Sequence, residues 1–183
     1  MILMYSAGVA SIAAGKYNTL KSLFDKPRYV KPFNNLPVYI ASSLAIHNIN
    51  PKDLTDIYSF TPINDYLYQM IRFSLKDLIP QDDRFNDAFN RFEYFLSLVT
   101  LDYNLTFKHI KSAPVGRYAL LNQFHRFIDA IQLEAEKAAT SWPPFVAGFF
   151  EGSLEKYKEM HKILRSEILE VFYMRQLAPS ILK

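Results

Sequence analysis

Residues 81–103 read QDDRFNDAFNRFEYFLSLVTLDY, and the fold turns on how that run is wound. Phe85, Phe89, Phe92, Leu96, Val99 and Tyr103 recur at spacings of three and four, which places them on one face of a helix. Ala88 and Phe95 widen the stripe, and Asp83, Asn86, Asp87, Asn90 and Arg91 occupy the other side. Pro80 ends the preceding segment, and Asp82 can accept from the free amides of the first turn, where negative charge also suits the helix dipole. A helix with four phenylalanines on or beside one stripe needs several partner helices to bury it. The expected fold is therefore all-α: an irregular bundle of about eight or nine helices around this segment, with residues 1–183 as a single helical domain.

The flanking sequence supplies those partners. Ile2 to Ala14 reads as a helix in which Ala7, Gly8, Ala10 and Ala13 permit close approach, capped by Gly15. Tyr17 to Phe24 follows as a shorter helix, and Asp25 to Asn35, with Pro27 and Pro32, reads as a loop. Pro37, Pro51 and Pro62 each stand where a proline can open a helix, the third leading through Leu67 and Ile71 to Pro80. After a polar loop from Lys108 to Val115, a long helix is expected from Tyr118 to Ala138. Trp142-Pro143-Pro144 breaks it and starts a short helix, Phe145 to Phe150. Ser153 then caps a last one, on which Leu154, Tyr157, His161, Leu164, Ile168 and Val171 keep a coiled-coil-like spacing. No alternating strand pattern longer than a few residues and no internal repeat is present.

Composition narrows the function classes. Half the residues are hydrophobic, and 15 Phe and 12 Tyr dominate the aromatic content, which excludes a disordered chain. So high an aromatic load implies a rich core or apolar surface kept for a partner. The net charge of +3 is spread evenly, without the basic block that marks many nucleic-acid binders. With no cysteine there is neither a disulfide frame nor a thiolate nucleophile, and the expected compartment is cytoplasmic. The apolar start MILMYSAGVASIAAG lacks a basic leader and is shorter than the ~20 residues of a membrane span, so no membrane association is expected. Beginning abruptly inside a core helix, the chain reads as a piece of a longer protein.

The chemistry-bearing residues are sparse. His47, His109, His125 and His161 are scattered, with no His-x-x-x-His or Glu-x-x-His spacing to aim two ligands from one helix. No Gly-x-Ser-x-Gly elbow, Ser-x-x-Lys pair or glycine-rich phosphate cradle is present, so no catalytic residue, metal site or cofactor is expected. His161 reads as a core histidine with one hydrogen bond, and His125 as the surface partner of Asp129. Glu93 is the one odd charge, set among Phe92, Tyr94 and Phe95 at the edge of the buried stripe. A carboxylate there needs a partner, and Arg72, Arg91 and Arg117 are the candidates. Arg72, Glu93 and Arg117 read first as a bridge pinning helices together, and they are the candidate binding residues as the alternative.

Three segments carry a family resemblance. MILMYSAGVASIAAGKYNTLKSLF is similar to a Tyr/Ala/Gly helix followed by a helix of aromatic and leucine residues. IRFSLKDLIPQDDRFNDAFNRFEYFLSLVTLDY resembles an arginine-bearing helix, a proline-acid turn and a Phe-Arg-Phe-Glu-Tyr segment ending in an aspartate. SAPVGRY is similar to the loop that comes next. The family so resembled is the C-terminal all-helical region of bacterial sirtuin-like or Schlafen/Alba-like nucleotide-handling proteins, often linked to phage defence. The resemblance implies that Arg72, Phe92, Glu93, Asp102, Gly116 and Arg117 belong to the helical region's own pattern, with the chemistry in a nucleotide-handling domain absent from these residues. The expected function is a non-enzymatic interaction, regulatory or oligomerisation module that meets a protein partner or a second copy of itself. Two alternatives stay open: a nucleic-acid-associated helical module, from the pI of about 8.9 and the pairs Arg28-Tyr29 and Arg117-Tyr118, and a small-molecule pocket or hydrolase centred on Glu93.

Overall fold

The computed structural model describes residues 2–25, 27–30, 33–37, 62–108, 111–121 and 123–170. They form an all-α fold whose helices are α1 (Ile2–Ala13), α2 (Tyr17–Asp25), α3 (Pro62–Leu75), α4 (Asp82–Lys108), α5 (Phe124–Ala138), α6 (Pro143–Val146) and α7 (Leu154–Ile163). Seven α-helices among the described residues are fewer than the eight or nine expected, and the two helices expected to open at Pro37 and Pro51 fall largely outside the described residues. Also outside them lie His47, His109 and the stop expected at Pro179.

The segment read as a loop from Asp25 to Asn35 contains a short antiparallel hairpin, β1 (Pro27–Val30) and β2 (Phe33–Pro37), with Pro27 opposite Pro37 and Arg28 opposite Leu36. Pro37 accordingly ends a strand, and the helix expected to follow it, from Val38 on, lies outside the described residues. In a two-stranded ribbon both strands are edges, so proline's missing N–H is tolerated at the ribbon's ends. Pro27, which reads as loop punctuation, opens the first strand of the hairpin, and Pro32 lies outside the described residues.

The chain divides into two units, Met1–Phe92 and Glu93–Lys183, and α4 supplies residues to each. In the first, α1 packs against α2 and α3, and the buried face of α3 is Ile63, Leu67, Ile71 and Leu75, an unbroken i, i+4 row. The α4 residues Phe85, Phe89 and Phe92 are fully buried there, with Tyr5 edge-on to Phe92 at 4.8 Å between centroids and Tyr68 edge-on to Phe85 and Phe89 at 5.3 and 5.2 Å. Gly8 of α1 is what lets this aromatic layer close: a Cβ there would lie 2.9 Å from Phe92 Cζ and closer still to the ring edge. Arg84 finishes α1 by donating to the free carbonyl of Ala13 at 2.7 Å.

In the second unit α4 loses its amphipathic character. Every residue from Glu93 to Leu98 is buried, whereas Val99 and Tyr103, expected on the apolar stripe, are only half-buried. Phe95 meets Trp142 and Phe149, and Tyr94 meets Tyr118 and Phe127. The helix expected to run from Tyr118 begins instead at Phe124, after a separate 3₁₀ turn, Arg117–Leu120. Ser153 caps α7 by accepting from the Lys156 amide at 3.2 Å, as expected, whereas the short helix expected from Phe145 to Phe150 is α6, with Pro143 in its first turn, and a separate 3₁₀ turn, Phe149–Gly152.

Candidate functional site

The buried polar groups of the second unit stand on two faces of α4. On one, Glu93, Ser97, Thr100 and Asn104 follow one another at intervals of four, three and four, a polar line inside an apolar helix. The segment 111–117 is fastened along it. Glu93 Oε2 accepts from the Arg117 amide at 2.6 Å, so its carboxylate serves as the N-terminal cap that the 3₁₀ turn cannot take from Gly116. Ser97 Oγ lies 2.6 Å from the Pro114 carbonyl and 2.9 Å from the Glu93 carbonyl, and it accepts from the Tyr118 hydroxyl at 2.8 Å. Asn104 Nδ2 donates to the Ser112 carbonyl at 2.7 Å. Burial pushes the Tyr118 hydroxyl well above its ordinary pKa, against the opposing bond to Ser97.

The second face carries a chain of aromatic and charged groups. Tyr94 Oη is 2.7 Å from His161 Nδ1 and 3.1 Å from Tyr157 Oη. His161 Nε2 faces Asp129 Oδ1 at 3.6 Å, and Arg165 Nη1 donates to the same oxygen at 2.9 Å. Tyr94, Tyr157 and His161 are buried, while Asp129 and Arg165 are partly exposed. Burial, reinforced by Tyr157, lifts the Tyr94 hydroxyl well above its ordinary pKa, and burial holds His161 below its own despite the pull of Asp129. At neutral pH this is a network of uncharged buried groups ending at a surface ion pair.

Comparison with known proteins finds no matching family, no similar curated protein and no similar solved structure.

Of the three candidate binding residues, Glu93 and Arg117 are brought together, but through Arg117's backbone amide. Arg72 is occupied in the first unit, where its guanidinium bonds Asp82 at 2.8 Å and the carbonyls of Ile79 and Pro80 at 2.8 and 3.0 Å and lies 5.2 Å from the Phe85 ring centre. It ties the end of α3 to the start of α4. Arg91 pairs with Asp87 one turn away. Asp129 turns toward Arg165 and His161, not toward the expected His125. His161 is the core histidine with one hydrogen bond that its spacing predicted.

A third feature flanks these faces. Phe150, Glu151 and Gly152 are consecutive residues in the left-handed region, at φ 53°, 58° and 69°. Such a run is strained for the two residues bearing a Cβ. Buried contacts on either side hold it, Phe149 on Phe95 and Phe150 on Tyr157, while the exposed Glu151 Oε1 meets Lys156 Nζ at 2.8 Å. The Lys156 ammonium also reaches Asp102 at 3.1 Å; partial burial opposes its charge, but the two carboxylates prevail and raise its pKa. Among the described residues no group of three or more His, Asp or Glu side chains converges as a metal site, and no helix is long and apolar enough to cross a membrane.

Proposed function

We propose that this chain is a non-enzymatic helical module for protein–protein contact, acting as a regulatory or oligomerisation part of a larger bacterial protein. One observation carries the reading: a second apolar edge on α3 and the turn beyond it. Beside the buried row Met70 is partly exposed, opposite it Phe73 faces outward and Leu78 follows, with Phe73 and Leu78 each 73% exposed. Large apolar groups so open to water, close together in sequence, are what a contact surface needs. Lys76, with its ammonium 5.4 Å from the Phe73 ring centre, gives that edge a charged border. The buried polar groups support the same reading, because their hydrogen bonds fasten one part of the fold to another. The sequence resemblance supports placing the module in a phage-defence protein.

Light scattering over a concentration series, with and without Phe73→Asp and Leu78→Asp, tests it. The expected result is self-association that the double variant abolishes without changing the circular dichroism. A strict monomer that also leaves an apolar dye unbound sinks the reading. Binding of labelled nucleic acid that weakens with added salt would favour the rival nucleic-acid module instead.

A further inference from the structure

Where α7 ends, the helix changes its winding beside a buried histidine. Leu164–Leu169 continue α7 as a π-helical turn, a wide i→i+5 winding that is rare and tends to mark functional positions. His161 precedes the turn and Arg165 lies within it. Asp129, on α5, stands between the two, bonded to Arg165 at 2.9 Å and 3.6 Å short of His161 Nε2. The ion pair with Asp129 thus anchors the π-helical turn to α5.

The surroundings of His161 fix its proton. Nε2 faces a carboxylate, so it carries the hydrogen, and Nδ1 is left to accept from the Tyr94 hydroxyl at 2.7 Å. Tyr157 then donates to the Tyr94 oxygen at 3.1 Å. At 3.6 Å the Nε2–H has no hydrogen bond, and it gains a strong reason to close that gap only when the ring is charged.

We propose that His161 is a proton-operated switch for the π-helical turn: uptake of one proton draws Asp129 from Arg165 onto the imidazolium and releases the anchor of residues 164–169. The proton comes from solvent and settles on Nδ1. The Tyr94 hydroxyl then accepts from Nδ1–H and turns its own hydrogen toward Tyr157, whose oxygen becomes the acceptor. No hydrogen bond in the chain is lost; its direction reverses. The groups facing the ring are Tyr94 from α4, Asp129 and Glu136 from α5, Tyr157 from α7 itself, and Arg165 from the π-helical turn. Glu136 is held by Lys158 at 2.8 Å, and Asp129, 3.6 Å from Nε2, is the carboxylate within reach of the ring. Burial delays protonation to below the ordinary histidine value, so the switch operates on the acid side of neutrality.

Nitrogen-resolved NMR of the ¹⁵N-labelled full chain through an acid titration decides the matter. The expected spectrum has the Nε2–H tautomer at neutral pH, and the His161 ring and the amides of residues 164–169 titrate with one midpoint. Asp129→Asn lowers the proton affinity of His161 by about threefold or more, as loss of a near but part-exposed opposite charge should. In that variant the 164–169 amides start near their acid positions and no longer move. Tyr94→Phe takes from the neutral ring a donor and from the charged ring its acceptor, and because the charge-assisted bond is the stronger of the two it lowers the proton affinity; Tyr157→Phe, which removes the acceptor one step further out, gives a smaller change of the same sign. An Nδ1–H tautomer at neutral pH, a midpoint indifferent to Asp129→Asn, or amides that stay still while the ring titrates would each overturn the proposal.

Discussion

The carboxylate of Glu93 occupies the space in which any residue but glycine at position 116 would place its Cβ. An added Cβ there would lie 2.6 Å from Glu93 Cδ and 2.7 Å from Glu93 Cβ, and the same carboxylate takes the next amide, that of Arg117, at 2.6 Å. Glu93 and Gly116 thus form one joint, in which the helix side chain and the loop backbone are each shaped to the other.

Gly116→Ala should destabilise the protein by about 2 kcal/mol or more, the upper part of the overpacking range, because the clash involves a buried side chain fixed by its own hydrogen bond. Glu93→Ala should cost a similar amount, since it strands a partly buried amide donor, whereas Glu93→Gln keeps an acceptor and costs about half as much. In the double variant Gly116→Ala/Glu93→Ala, only part of the glycine penalty should vanish, because the Cβ of residue 93 remains in the way. Urea denaturation of the four variants checks the pattern. Full additivity would mean that the two residues are not coupled.

A corresponding fit exists in the first unit between Gly8 and Phe92. Gly8→Ala forces a methyl into the Phe92 ring and should cost about 1–3 kcal/mol. Phe92→Leu alone should also destabilise, by loss of buried aromatic area and of the edge-on contact with Tyr5. Combined, the two changes should cost less than their sum, because the smaller side chain leaves room for the methyl. Melting temperatures of the single and double variants would show this as a positive coupling, and its absence would count against the packing described.

How much of this was legible in the sequence depends on how local the signal was. Phe85, Phe89 and Phe92 announced their face because one helix side meets the core, and period 3.6 is the direct record of that. From Glu93 to Leu98 burial is all-round, so periodicity no longer discriminates, and Tyr94 passed as a flanking residue although it is central to the hydrogen-bonded chain. The line Glu93-Ser97-Thr100-Asn104 was readable as a polar stripe at helical spacing, but its partner is a loop, which has no periodicity to match. Pairings such as Asp129 with Arg165 join separate elements, and no pattern along the chain records them. The hairpin escaped because its strands are four and five residues long, the first beginning and the second ending at a proline.

The left-handed run at Phe150–Gly152 predicts a gain in stability. Glu151 has φ 58°, a conformation that costs a β-carbon-bearing residue on the order of 1 kcal/mol and that asparagine adopts far more readily. The ion pair it forms with Lys156 is largely exposed on the Glu151 side and contributes little. Glu151→Asn should therefore raise stability by about 0.5–1 kcal/mol, and Glu151→Val, β-branched and worse in this region, should lower it. Thermal unfolding of both variants is the measurement; equal destabilisation would show that the Lys156 contact outweighs the backbone strain.

Alkaline titration separates the buried tyrosines from the rest. Burial raises the folded pKa of Tyr94 and of Tyr118 above the ordinary value near 10. Below that value neither form of the protein releases the proton and stability is unaffected. Above it the unfolded chain gives up protons that the folded chain retains, so stability must fall with rising pH, by up to about 1.4 kcal/mol per pH unit for each resistant tyrosine. Tyr118→Phe should cost about 1 kcal/mol at neutral pH through the lost bond to Ser97, which then keeps an unfilled acceptor. The variant has one fewer proton to withhold, so its deficit should shrink as the pH climbs past 10 and then reverse. Denaturant midpoints measured from pH 8 to pH 11 would reveal the convergence, while parallel curves would mean that the Tyr118 hydroxyl ionises in the folded protein like a tyrosine in water.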